Sequence, residues 1–309
     1  MRIVHGWEGL APADRGASVA LGNFDGVHLG HRQVIAAAGA VARERGAPFG
    51  VISFEPHPRR FFQPDAEPFR LMTPHQLARA LGDLGADILY ILPFDEHMAA
   101  MSDEAFARDV LARGLGVVHV AAGFDITFGK GRSGDPLALK QYGAAFGFTV
   151  SITDPVGDEA ADKFSSSAVR QALAEGRPER AAEILGRPFA IEGIVQRGKQ
   201  LGRELGFPTA NIPLADYVIP RLGIYATRTV LPDGRRVAGV ASLGRNPTTG
   251  LVDPRLEVWL FDFDEDLYGQ SLETELVAWL RPEEKFDSLE ALTAQVMADA
   301  QAARAVLRG

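Results

Sequence analysis

The chain has 309 residues, 46% of them hydrophobic and 23% charged, which fits about two globular domains. A net charge of −8, from 40 acidic against 32 basic residues, argues against a broad electrostatic partner such as duplex DNA or an anionic membrane and leaves room for a local basic pocket. The absence of cysteine excludes disulfides, thiol nucleophiles and Cys-ligated zinc.

No apolar run approaches the ~18 residues that span a bilayer. The opening MRIVHGWEGLAPADRG lacks the apolar core of a signal peptide. A cytoplasmic protein with no nucleic-acid and no membrane partner is therefore expected, as a monomer or weak homo-oligomer.

Along the chain, ASVALGNF (17–24) reads as a strand. Val34, Ile35, Ala38, Val41 and Ala42 then fall at helical spacing, closed by Gly46. FGVISF (49–54) is the next strand. Thr73-Pro74-His75-Gln76 opens a helix, with Thr as N-cap and Pro at the first position. There follow a strand over 86–94, a helix near 102–113, a strand over 117–123, a helix near 136–146 and a strand over 148–154. Strands alternating with helices predict βαβ units and a parallel sheet.

The rhythm changes near residue 186. IEGIVQRG, GIYATRTVL, RRVAGVASLG, RLEVWLFDF and SLETELVAWL are joined by turns such as Pro232-Asp233-Gly234, a pattern of antiparallel sheet or small barrel. Asp287-Ser288-Leu289-Glu290 resembles a capping box opening a last helix to about residue 307. Two domains are expected, 1–185 and 186–309.

In the first half, GNFDGVHLGHRQVI (22–35) lies where a strand turns into a helix. In open parallel sheets ligands bind at strand carboxyl ends, and helix N-termini attract phosphate. Gly22 and Gly26 permit close backbone approach. His28 and His31, three apart, would share a helix face and can donate to phosphate oxygens; the alternatives are a pair of polar residues at a cap, or a metal pair for which no third ligand is evident. KFSSSAVRQAL (163–173) places serines and Arg170 at a second helix start, either an anion pocket or a plain serine cap. GFDITFGKGRSGD (123–135) is a glycine-rich basic loop whose spacing is not that of a Walker A motif.

In the second half, GKQLGRELGFPTANI (198–212) spaces three glycines by four, with basic residues between, and is either a phosphate loop or a surface loop. Thr209 and Asn211 alternate onto one side of an extended segment, and both offer oxygen to Mg²⁺. Strand alternation puts Glu257 with Trp259, Phe261 and Phe263, a setting in which desolvation favours a general base, against the alternative of a rim glutamate. DFDEDLYGQSLE (262–273) is not a calcium loop, because Leu267 stands where the glycine is needed. All seven histidines lie at or before residue 119, so chemistry in this half rests on other groups.

GNFDGVHLGH with SSSAVR resembles the HxGH nucleotidyltransferase superfamily. With FEPHPRRFF (54–62) and GFDITFGKGRSGD, the half resembles the N-terminal module of bacterial FAD synthetases. The second half resembles riboflavin kinase in RGKQLGRELGFPTANI, GIYA, GRNPT, LEVWLFDFDEDLYG and LRPEEKFDSLEAL. The resemblance implies an α/β plus β chain: a Rossmann-like nucleotidyltransferase domain with a parallel sheet, then a six-stranded antiparallel β-barrel with a closing helix.

It also implies two ATP-dependent steps: riboflavin to FMN with Mg²⁺, then FMN to FAD and pyrophosphate. The small-molecule partners are then riboflavin, FMN and ATP. In the adenylyl-transfer half it assigns Gly22, Asn23, Phe24, His28, His31, Asp125, Ser165, Ser166 and Arg170 to ATP, with His28 and His31 on the phosphates and Ser166 and Arg170 on the leaving pyrophosphate. Flavin falls to Phe54, Phe61, Phe62, Phe128 and Arg281.

In the kinase half it assigns Gly198, Lys199, Gly202, Arg203, Gly206, Pro208 and Thr209 to ATP, Thr209 and Asn211 to the metal, and Glu257 as the base. Trp259 departs from the family, which often has histidine there. A different acceptor for the first half, such as phosphopantetheine, and a non-catalytic flavin-binding regulator are the competing readings.

Overall fold

The computed structural model describes residues 1–157, 164–198, 206–245 and 254–308, which form two compact units. One comprises Met1–Ala66 and Pro74–Phe164; the other comprises Glu67–Thr73 and Ser165–Gly309.

The first unit is built on strands β1 (Arg2–His5), β2 (Ser18–Leu21), β3 (Phe49–Glu55), β4 (Ile88–Pro93), β5 (His119–Gly123) and β6 (Thr149–Thr153). They form one parallel sheet in the order β1-β4-β3-β2-β5-β6. β2 through β5 carry runs buried on both faces, as a parallel sheet covered by helices requires.

The chain steps from β2 out through β3 to β4, then returns to lay β5 on the other side of β2. The carboxyl ends of β2 and β5 thus flank the switch point of the sheet, where open α/β folds bind ligands. Helix α1 (Leu29–Arg45) packs Val34, Ile35, Ala38 and Ala42 onto β2, β3 and β5. The short α2 (Pro58–Phe62) and α3 (Pro74–Asp83), with α4 (Glu96–Ala100) and α5 (Asp103–Ala105), follow; α5 continues as a π-helical stretch, Phe106–Leu115, and α6 (Pro136–Phe146) precedes β6. The edge strand β1 was not legible as a strand, because three of its four residues are exposed and no alternation marks it.

In the second unit, α7 (Ser166–Ala174) and α8 (Pro178–Leu185) lead into β7 (Phe189–Ile194), β8 (Ala210–Pro213), β9 (Gly223–Val230), β10 (Arg236–Arg245), β11 (Pro254–Leu260) and β12 (Ser271–Arg281). These pair antiparallel in the order β7-β12-β9-β10-β11-β8. A bridge between Gln196 and Asn211, with Gln196 N–H donating to the Asn211 carbonyl at 2.9 Å, joins the two ends into a nearly closed barrel. Leu256, Val258 and Leu260 of β11 are buried, and Glu257 and Trp259 alternate onto the other side.

The last helix, α9 (Leu289–Arg308), closes over β9, β10 and β12. Ala300 and Ala303 meet Ala226, Val240 and Ala278 there, small side chains that allow close approach. The cap of α9 is Ser288, whose Oγ accepts the Ala291 N–H at 3.1 Å, one residue after the Asp287 expected from the motif. Among the described residues no helix is long and apolar enough to cross a membrane.

Candidate active sites in the two units

In the first unit, β2 ends at Leu21 and the chain turns through Gly22–Val27 into α1. Gly22 lies under the Phe24 ring, where a Cβ would come within 3.1 Å. Phe24 (φ 52°), Gly26 (φ 90°) and Val27 (φ 44°) all hold left-handed backbone. For a bulky and a β-branched residue this is a costly geometry, and both side chains are fully buried, which holds it in place.

The turn delivers His28 as the N-cap of α1: its Nδ1 accepts the His31 N–H at 3.3 Å, so that Nε2 carries the proton and remains a donor. The His28 and His31 rings stack with centroids 3.5 Å apart, and Phe24 meets His31 edge-on at 5.2 Å. Gly30 makes the cap possible, since a Cβ there would sit 3.2 Å from the His28 ring and 3.4 Å from the Phe164 carbonyl.

At the same sheet edge an aromatic wall runs from the ends of β3 and β4. Phe62, Phe61 and Phe94 lie 5.2 to 5.7 Å apart, Phe54 is 5.9 Å from Phe94 and 6.3 Å from Phe106, and Phe128 is 5.8 Å from Phe106. Phe62 is 65% exposed, far more than a core ring. Asp125 is exposed in the loop after β5, its Oδ1 3.2 Å from where a Cβ on Gly123 would be.

The second unit holds Ser165, Ser166 and Arg170. Ser165 is the N-cap of α7, its Oγ accepting the Ala168 N–H at 3.1 Å, and Ser166 is the first helical residue. Arg170 donates from Nε to the Phe69 carbonyl at 2.7 Å and lies over the Phe69 ring at 5.5 Å.

Among the described residues, two cavities open on the barrel of this unit. One, of about 350 Å³, is lined by Val195, Gly198, Pro208, Thr209, Asn211 and the 263–268 turn. The other, of about 300 Å³, lies between the outer side of β10–β11, the 281–286 segment and α9, and holds Glu257, Trp259, Arg281 and Asp299. Thr209 lines both. Asn211 is buried, pairs with Glu257 across β8 and β11, and donates from Nδ2 to the Thr209 carbonyl at 3.3 Å. A Cβ on Gly198 would lie 2.6 Å from that amide.

Phe263 does not share the side of Glu257 as strand alternation predicted. Asp262 takes φ 55°, the strand stops at Leu260, and Phe263 turns into the other cavity under Arg235. Lys199, Gly202 and Arg203 lie outside the described residues; Gly206, at φ 90°, adjoins the buried Phe207.

A FAD synthetase family model matches residues 10–168 and a riboflavin kinase model matches residues 185–307. The bifunctional riboflavin kinase/FMN adenylyltransferase of Escherichia coli K12 is 39% identical over 98% of this chain and 97% of its own, and that of Pseudomonas fluorescens is 41% identical over 99% and 98%. The chain belongs to the bifunctional riboflavin kinase/FMN adenylyltransferase family. A solved structure from Streptococcus pneumoniae, described as a macrolide-efflux protein, shares the fold at a TM-score of 0.86 with 30% identity, covering 98% of this chain and 99% of its own.

Both modules of a bifunctional riboflavin kinase/FMN adenylyltransferase are therefore present, and the geometry adds residues that the motifs did not single out. In the first module, Gly30 is a spacer for His28. In the kinase module, Glu283 lines the cavity of Glu257: its Oε1 accepts from Ser242 Oγ at 3.3 Å, and Ser242 is the cross-strand partner of Glu257. A side chain at Gly244 would collide with that carboxylate. Burial pushes the Glu283 carboxyl up, the Ser242 hydroxyl opposes this, and the Glu257 charge adds to the rise.

Arg281 makes a two-pronged pair with Asp299 at 2.8 and 2.7 Å and donates from Nη1 to the Pro282 carbonyl at 2.8 Å. Glu283 stands in the LRPEEKF segment, but its partners come from β10 and β11, which no local pattern announces.

Proposed function

We propose that this chain carries out both reactions of its family, transferring the ATP γ-phosphoryl to the riboflavin 5′-hydroxyl and then the ATP adenylyl group to FMN, releasing pyrophosphate. The observation that carries the kinase half is Thr209, which lines both cavities: nucleotide in one and acceptor in the other would meet at its hydroxyl.

Glu257, in the acceptor cavity, takes the hydroxyl proton as the oxygen attacks phosphorus. Gly198, Gly206 and Pro208 bind ATP, and so do Lys199, Gly202 and Arg203 of the same sequence motif. Thr209 and Asn211 offer one hydroxyl and one amide oxygen. This neutral pair would hold Mg²⁺ brought with ATP, which when bound would supply neutralisation of charge on the transferring group.

In the first module Gly22, Asn23, Phe24, His28 and His31 receive the ATP of the second step. His28 Nε2–H and the α1 N-terminus stabilise charge on the phosphates. Asp125 holds the nucleotide, and Ser165, Ser166 and Arg170 act on the leaving pyrophosphate. The exposed ring of Phe62, with Phe54, Phe61 and Phe128, takes isoalloxazine, and Arg281 bounds the flavin of the kinase. A cytoplasmic monomer or weak homo-oligomer acting only on small molecules completes this reading.

Separation of products from riboflavin, ATP and Mg²⁺ tests it. Glu257→Ala is expected to abolish FMN formation and spare FAD formation from supplied FMN, and His28→Ala to do the reverse. Loss of both reactions in each variant overturns the two-site assignment.

A further inference from the structure

We propose that Asp103 is a positioning residue for adenylyl transfer, fastening the glycine-rich loop 124–134 to the start of α5 so that Phe128 is presented to flavin in one place. This rests on the function proposed above. Asp103 opens α5, but the cap is Ser102, whose Oγ accepts the Ala105 N–H at 3.1 Å, so the Asp103 carboxylate is turned to other partners.

Ser133 of the loop donates its hydroxyl to Oδ1 at 2.8 Å, and Tyr142 of α6 donates its hydroxyl to Oδ2 at 2.9 Å. The Ser133 bond is the first cause that holds the Asp103 carboxyl below its ordinary range. An ionised acceptor makes both bonds stronger than neutral ones.

The loop backbone is tied at the same point. Lys130 N–H donates to the Met101 carbonyl at 2.8 Å, and Phe128 and Gly134 exchange backbone bonds of 3.1 and 2.9 Å. Two glycines lie flat against Asp103. A Cβ on Gly134 would be 2.7 Å from the Asp103 Cβ and 2.7 Å from the Phe128 ring; one on Gly129, at φ +74°, would be 2.6 Å from the Asp103 Cα. Phe106, three residues after Asp103, is the ring against which Phe128 packs. A glycine-rich loop is costly to order, and this one is ordered by one carboxylate with two hydroxyl partners on two elements.

The test uses the full-length enzyme with Asp103→Ala, Asp103→Asn and Ser133→Ala, measuring FAD formation from FMN and riboflavin phosphorylation in the same preparations. Asp103→Ala is expected to raise the KM for FMN about tenfold with kcat lowered less than about threefold, a split expected when a binding loop loses its place. Asp103→Asn falls between, and riboflavin phosphorylation is unchanged. Adding Ser133→Ala to Asp103→Ala changes nothing further, because the partner is already gone.

Hydrogen exchange at the Lys130 amide is expected to quicken in Asp103→Ala. An FMN KM within twofold of wild type overturns the inference, and so does a parallel loss of both reactions. A wild-type enzyme that forms no FAD overturns the functional reading and this inference with it; an active wild type with unaltered variants overturns this inference alone.

Discussion

Asp299→Ala removes one side of an ion pair that is nearly out of water: the Arg281 and Asp299 side chains are 17% and 8% exposed. Asp299 accepts two guanidinium bonds, at 2.8 and 2.7 Å, and a third from Gln295 at 3.0 Å. Breaking a fully buried pair costs about 3–5 kcal/mol. Arg281 keeps the Pro282 carbonyl at 2.8 Å and Glu284 at 3.9 Å after the change, so the cost falls just short of that range, at about 2–3 kcal/mol.

Urea unfolding of the whole chain, followed by the fluorescence of Trp259 and Trp279, reads this cost as a lowered midpoint. Replacing both partners by apolar residues, Arg281→Met with Asp299→Leu, is expected to recover most of the stability, because the desolvation cost of both charges goes with them. It is not expected to recover riboflavin phosphorylation, because the guanidinium is missing from the cavity. A loss under about 0.5 kcal/mol in Asp299→Ala would refute the argument, showing a pair screened like a surface salt bridge.

Gly30→Ala adds helix propensity worth up to about 1 kcal/mol but pushes on the His28 ring; FAD formation should fall about a hundredfold while kinase activity holds, as steady-state rates of both reactions would show. Phe62→Ala should change stability by about 0.5 kcal/mol or less, since the ring is 65% exposed, yet raise the KM for FMN.

His119 is buried between β5 and β6, with Nδ1 2.9 Å from Thr149 Oγ1 and Nε2 3.1 Å from Ser151 Oγ; burial, then the Arg45 charge, holds its pKa down. The folded chain therefore refuses a proton that the unfolded chain accepts near pH 6.5. The stability from the neutral ring is complete above that value and is lost as pH falls through the lowered folded pKa. Unfolding midpoints measured from pH 7.5 to 5 should show this loss, and His119→Gln should remove that component.

The periodic parts of the fold were legible in the sequence because burial imposes them. The helix over 136–146 begins at Asp135, whose Oδ1 accepts the Ala138 N–H at 2.8 Å, and ends on the left-handed Gly147, both visible as residue types. The breaks in period were not legible. Asp262 in a left-handed conformation moves Phe263 away from Glu257, and no local rule places that turn at an aspartate rather than at a glycine.

The histidine pair was legible as two imidazoles at a helix start, but not the detail that one ring nitrogen caps the helix while Gly30 leaves it room. Glu283, Asp299 and Asp103 share a different obstacle: apart from Gln295 beside Asp299, their hydrogen-bond partners lie 18 to 41 residues away along the chain. Charge alone does not mark them among 40 acids.

The barrel seam has a consequence for how variants of the kinase module will behave. Asn211 supplies the carbonyl that bridges β8 to Gln196, and its side chain faces the same cavity as Thr209. Staple and proposed ligand are therefore one residue, the first through its backbone and the second through its amide. A side-chain substitution there leaves the staple bonded while it alters the ligand. A backbone change, such as proline at Gln196, would unfasten the seam with every candidate ligand still present. Activity lost by the first route should return with excess Mg²⁺ and ATP, and activity lost by the second should not.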